Sequence, residues 1–174
     1  MNLQDAVVMV GPKAGNFAME TFSREGMYAL FSTVSANLEP TGWGSRFPFF
    51  MERLYRRVVW PKDVNSLIAE IATIHEGLEG LLLAKLVWDY RDRGRLHPQD
   101  SPNIDFSAPN LAQCFGKFFP AIEAAIRGMK SFHDAFSEDD PLRIVITTTA
   151  NSPRDGFRRP DEYENLEGDP FWLT

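Results

Sequence analysis

Asp89, Asp92 and His97 follow one apolar stretch and carry the groups for general acid–base work. They would act together only if a concave pocket gathered them and shifted their pKa values. Carboxylates at the end of an apolar stretch are also ordinary loop chemistry. A small enzyme with a polar site near Asp89, Asp92 and His97 is therefore the alternative reading. The other titratable candidates point away from catalysis. His75-Glu76 has the start of a helical zinc pair, but position 79 is Glu79, where a second His would be needed. His97 and His133 stand alone beside Pro98 and Asp134. Cys114, flanked by Gln113 and Phe115, reads as a buried structural thiol, with no neighbouring cation to lower its pKa. Gly11-Pro-Lys-Ala-Gly15 lacks the Gly-Lys-Ser/Thr ending of a phosphate loop. Gly42-Trp-Gly-Ser-Arg46 places a bulky Trp where backbone would have to approach a nucleotide. No Gly-x-Ser-x-Gly elbow is present. The expectation is a protein that is not an enzyme, with no metal and no cofactor.

Positioning these residues requires elements that the periodicity outlines. Ala6–Val10 reads as a strand stopped by Gly11-Pro12, and 13–21 as a possible hairpin partner. Ser23 is a suitable N-cap for a helix burying Met27, Leu30, Phe31, Val34 and Leu38. A short helix over 48–58 follows the glycine turn. Pro61 and Asp63 suit the start of a helix over 62–80 that buries Val64, Leu67, Ile68, Ile71, Ile74 and Leu78. Lys85–Tyr90 has strand composition. Residues 91–110 read as a long loop, and 111–116 as a short strand or a turn. Pro120 opens a helix burying Ile122, Ala125, Ile126, Met129 and Phe132, and Leu142–Thr148 alternates as a strand. The predicted fold is α/β (mixed α+β): a small mixed sheet of about four strands covered by about four helices. Residues 1–150 form one globular domain. Residues 151–174 form a C-terminal extension packed on that domain or on a partner.

At 174 residues the chain can build a core without disulfides, and its one cysteine excludes an internal disulfide framework. Hydrophobic residues make up 44% and aromatic residues 13%, which points to a folded chain rather than a disordered one. No basic signal-like start and no membrane-length apolar run are present, so the expectation is a cytoplasmic protein without a membrane. The net charge is −6 with no basic block, which argues against direct nucleic-acid binding. An acidic surface would be steered to a basic partner.

Trp88 is expected in the core. Trp43, between two glycines, is either a wedge locking two helices or an exposed anchor, and Arg46 a local cap. Trp43, Arg46 and Trp88 together read as a structural corner. The tail scatters Phe157, Tyr163, Phe171, Trp172 and Leu173 through polar sequence. These aromatics would tie it to this chain, a partner or a neighbouring subunit.

Leu30-Phe-Ser-Thr-Val-Ser-Ala-Asn-Leu-Glu39, Gly42-Trp-Gly-Ser-Arg-Phe-Pro48, Leu54-Tyr55 and Val87-Trp-Asp-Tyr-Arg-Asp92 resemble the immunity protein 70 family of bacterial polymorphic toxin systems. The likeness runs from about residue 28 to 93 and continues weakly through Phe118–Phe136. It implies mixed α and β structure, no catalytic residue to carry over, and a cytoplasmic antitoxin. The implied partner is a basic cognate toxin domain, with a nuclease among the candidates, blocked sterically and electrostatically; the resemblance leaves room for a homo-oligomer. Toxin contacts are expected in the 91–110 loop, the acidic turn and the tail, with Asp92, Asp100, Asp105, Glu138, Asp139 and Asp140 as candidates.

Overall fold

Ser23 ends an extended stretch and its hydroxyl accepts the Gly26 amide at 3.0 Å, so helix α1 (Arg24–Leu38) starts where its cap residue stands. The computed structural model describes residues 7–11, 22–137, 140–149, 152–153 and 158–174. Within α1, every residue from Gly26 to Ser35 is buried. Such a helix is enclosed on all sides rather than along one stripe. Phe31 shows why: its ring meets Phe50 at 4.8 Å, Tyr55 at 4.9 Å and Trp172 at 6.2 Å.

Helix α2 (Val64–Glu79) buries Val64, Leu67, Ile71, Ile74 and Leu78, one face at helical spacing. Ile68, expected inside, is instead 39% exposed. Between α1 and α2 the chain makes a π-helical segment, Phe49–Leu54, where the Tyr55 amide reaches back to the Phe50 carbonyl. Asn110 caps the single turn of α3 (Leu111–Cys114), and a turn follows at 115–116, so of the two readings of 111–116 the strand does not form. Helix α4 (Phe118–Phe136) stops at Ser137, which is left-handed with φ 53°.

Strands β1 (Val7–Gly11), β2 (Phe22–Ser23), β3 (Arg143–Thr149) and β4 (Ser152–Pro153) pair in the order β2-β1-β3-β4, always antiparallel. The expected α/β fold is overturned. The described chain is predominantly helical, and only β1 and β3 exceed two residues. Strands bracket the run α1 to α4 instead of alternating with helices, and every pairing among the described residues is antiparallel, so the expected mixed sheet does not form. The hairpin partner expected at 13–21 lies outside the described residues.

Lys85–Tyr90 supplies the main reason. This stretch has strand composition but pairs with side chains of α1. Thr33 Oγ1 donates to the Val87 carbonyl at 3.2 Å and accepts its amide at 3.1 Å. Ser32 accepts the Tyr90 amide at 3.1 Å, and Asn37 donates to the Lys85 carbonyl at 2.9 Å. Buried backbone needs partners, and here helix hydroxyls and an amide supply them in place of a strand. Trp88 is thereby carried into the core, 3% exposed.

The tail forms one turn of helix, α5 (Pro160–Glu164), with proline in its first turn. Glu164 takes both arms of Arg53 at 2.8 and 2.7 Å and the Trp60 indole at 3.0 Å. Trp172 is 2% exposed and donates to the Tyr55 carbonyl at 2.7 Å.

Candidate functional site

The Gly42–Phe47 turn is an anion cradle whose anion belongs to the chain. Glu39, 5% exposed, accepts the amides of Gly44 at 2.9 Å, Arg46 at 3.0 Å and Phe47 at 3.1 Å. Gly42 and Gly44 have φ of +114° and +78°, which a side chain would strain, and this curl turns the amides inward. A second carboxylate, Glu70 of α2, accepts the Phe49 and Phe50 amides at 3.3 and 2.8 Å at the start of the π-helical segment. Burial raises the Glu70 pKa, and the two amide bonds oppose that shift. Arg46 is exposed; it lies over the Phe47 ring and reaches the Leu38 carbonyl at 3.4 Å.

The fixed turn delivers Trp43 to the centre of an aromatic group. Its indole donates to the Met51 carbonyl at 2.8 Å. Its ring stands 4.7 Å from Tyr55, 5.1 Å from Tyr90 and 6.5 Å from Tyr28. These four rings line a recess of ≈ 300 Å³ whose rim holds Arg56, Arg91 and the tail residues Gly168 and Asp169. Arg91 grips Asp169 through both arms, one of them at 3.1 Å. Asp169 is held below the ordinary carboxylate range chiefly by that bond, and Arg91 is held charged by it. Arg56 bonds Glu52 at 3.1 Å and the Gly168 carbonyl at 3.2 Å. Burial pushes the Tyr55 and Tyr28 hydroxyls above the usual phenol range.

The residues singled out for acid–base chemistry are engaged elsewhere. Asp89 accepts the Arg91 amide at 2.9 Å, closing a turn, and pairs with Arg95 at 3.5 Å. His97 stacks on Phe106 with ring centres 4.6 Å apart. Neither they nor Asp92 line the recess. Cys114 is buried, and burial pushes its thiol up to about 12, far from a reactive thiolate. His75 pairs with Glu79 at 3.3 Å on the edge of a groove between α2 and α4, where Ile68 and Phe119 also stand. Among the described residues no group of three His, Cys, Asp or Glu could hold a metal, and no helix is long and apolar enough to cross a membrane.

Of the proposed contact residues, Asp92, Asp100 and Asp105 are exposed. Asp105 accepts the Ser107 hydroxyl at 2.6 Å, which together with the Ser107 amide lowers its pKa. Asp140 is half-buried with Arg143 at 3.6 Å. Glu138 and Asp139 lie outside the described residues. Tyr28, Arg56 and Asp169 did not stand out in the sequence, and Glu39, Tyr55 and Arg91 entered only as members of the stretches that carry the resemblance. The only available signal for Glu39 was a carboxylate just before a glycine turn.

The sequence pattern of the family described as Immunity protein 70 matches residues 13–119. The chain belongs to the immunity protein 70 family. No curated protein and no solved structure matches it. The resemblance carried by the Trp43 and Trp88 stretches is thus borne out. The immunity protein 70 span includes α1, the glycine turn, α2 and the Lys85–Tyr90 segment. It also holds six residues of the recess, whereas Gly168 and Asp169 come from beyond it.

Proposed function

We propose that this immunity-family protein binds a cognate bacterial toxin in the cytoplasm and neutralises it by covering the toxin's active site. Membership of the immunity protein 70 family carries the reading. The chemistry is occupation rather than catalysis: shape and negative potential do the work. A net charge of −6 favours a basic partner, and nucleases are basic because they neutralise phosphates. The exposed carboxylates Asp92, Asp100 and Asp105 are the proposed contacts, together with Glu138, Asp139 and Asp140, which follow α4 in the sequence. The 158–174 segment belongs to the same unit, because its aromatic residues anchor in the core of the domain.

The test is co-expression with the toxin encoded beside it. Cells should survive with the immunity protein and die without it, and the purified pair should form a nanomolar complex. Equal killing in both strains, or no complex at micromolar concentration, defeats the proposal.

A further inference from the structure

Helices α2 and α4 lie side by side and run in opposite directions. The His75 ring meets Phe119 at 5.1 Å, while Val64 shares a recess with His133. The groove between them, ≈ 460 Å³, is lined by Ile68, Ala72, His75, Phe119, Glu123 and Ile126 among others. Ile68 is 39% exposed, although Ile71 and Phe119 beside it are buried. A single surface isoleucine is ordinary, but this one stands on an apolar groove.

The two ends of this face differ in charge. At one end stand Glu123 and the His75–Glu79 pair. At the other, a recess of ≈ 460 Å³ is lined by Lys62, Lys130 and His133 against one carboxylate, Asp134. Glu76 and Arg127 line neither. Glu123, Lys62 and Lys130 have no ion pair among the described residues. Their placement is symmetric. Glu123 and Lys130 fall on either side of Ile126, and Glu79 and Lys62 on either side of Ile71, at nearly equal distances along the chain. Ile71 and Ile126 both line the groove.

A twofold interface brings a surface against itself, so such a face must be self-complementary. An axis lying in this face and crossing α2 at Ile71 and α4 at Ile126 reverses the ends. It sets Glu123 over Lys130 of the second copy and Glu79 over Lys62 of the second copy. An axis along the groove would stack like charge on like charge, which is costly. A uniformly basic partner would meet like charge at the Lys62 end, so the face suits a second copy better than it suits a basic toxin.

We propose that the α2–α4 face is a homodimer interface, with Ile68 and Ala72 packed into the apolar centre and the charge pairs at its rim. The face is two helices wide and about 24 Å long, which buries roughly 1,000 Å² in total, the low end for a specific interface. The dimer is therefore weak and forms with rising concentration. It does not depend on the toxin-binding reading, whose contacts Asp92, Asp100 and Asp105 line neither recess.

The experiment is sedimentation equilibrium of the full chain from micromolar to submillimolar concentration. The mass should rise from monomer to dimer. Ile68→Asp should keep it at monomer. Glu123→Lys alone and Lys130→Glu alone should each weaken self-association about tenfold or more, with the fold intact by circular dichroism. An equimolar mixture of these two variants should dimerise as the unmodified chain does, because both of its Glu–Lys contacts are restored with the partners exchanged. That rescue is a result no merely destabilising effect produces. A monomer throughout the range overturns the proposal, and so does a mixture no tighter than its components. Dimerisation indifferent to Ile68→Asp and to both charge reversals places the interface elsewhere and overturns it too. A monomeric chain whose Ile68→Asp variant fails to protect against the toxin would assign the groove to the toxin instead, and the proposal falls.

Discussion

Glu39 does at the level of one side chain what a bound phosphate does in a nucleotide loop: it satisfies inward-facing amides with negative charge. Truncating it leaves three donors without their acceptor beside the core. Glu39→Ala should cost about 3 kcal/mol, a fall of roughly 6–12 °C in the thermal midpoint, and Glu39→Gln should cost less. Differential scanning calorimetry decides between them; a midpoint within a degree of the unmodified chain would mean the turn folds without its acid. Asp169 gives a prediction in pH. Its folded pKa lies below its ordinary value of 3.8, so its contribution to stability is present above that value. It is lost as pH falls through the lower folded value. The midpoint difference between the unmodified chain and Asp169→Asn should therefore be largest near neutrality and vanish in acid.

Elements divide by whether their partners are local. Helices α1, α2 and α4 were legible because three- and four-residue spacing of apolar side chains survives any tertiary context. Ser23 was legible as a cap for the same local reason. Lys85–Tyr90 was not: Val87 and Trp88 have strand propensity, but the choice of partner is tertiary, and Thr33 and Asn37 outbid any strand. The π-helical segment depends on Glu70, twenty residues ahead of Phe50, capping its first amides. The tail depends on Trp172, whose site is assembled from Tyr55 and Phe31. Trp172→Ala should therefore destabilise the chain by about 3–5 kcal/mol, as a core deletion does, rather than by the few tenths expected of a terminus. Urea unfolding measures it.

At the scale of the molecule, the sequence carried the family but not the architecture. The Trp43 and Trp88 stretches were enough for the first. The second failed because β1 and β3 pair across almost the whole chain, and no local pattern announces such a pairing. The recess was illegible for a similar reason: Tyr28, Trp43, Tyr55, Tyr90 and Asp169 share no period and meet only after α1, the turn and the tail are in place. Charge belongs to this scale too. If Asp92, Asp100 and Asp105 steer a basic toxin, replacing all three by Lys should slow association about tenfold and flatten its salt dependence, with the fold intact. Stopped-flow mixing at two ionic strengths reads both. The hydroxyl rungs of α1 carry a last consequence. Val87 and Tyr90 lie in neither helix nor strand, yet their amides are tied to a buried helix. Deuterium should enter them as slowly as it enters the helices, although neither residue belongs to a regular element.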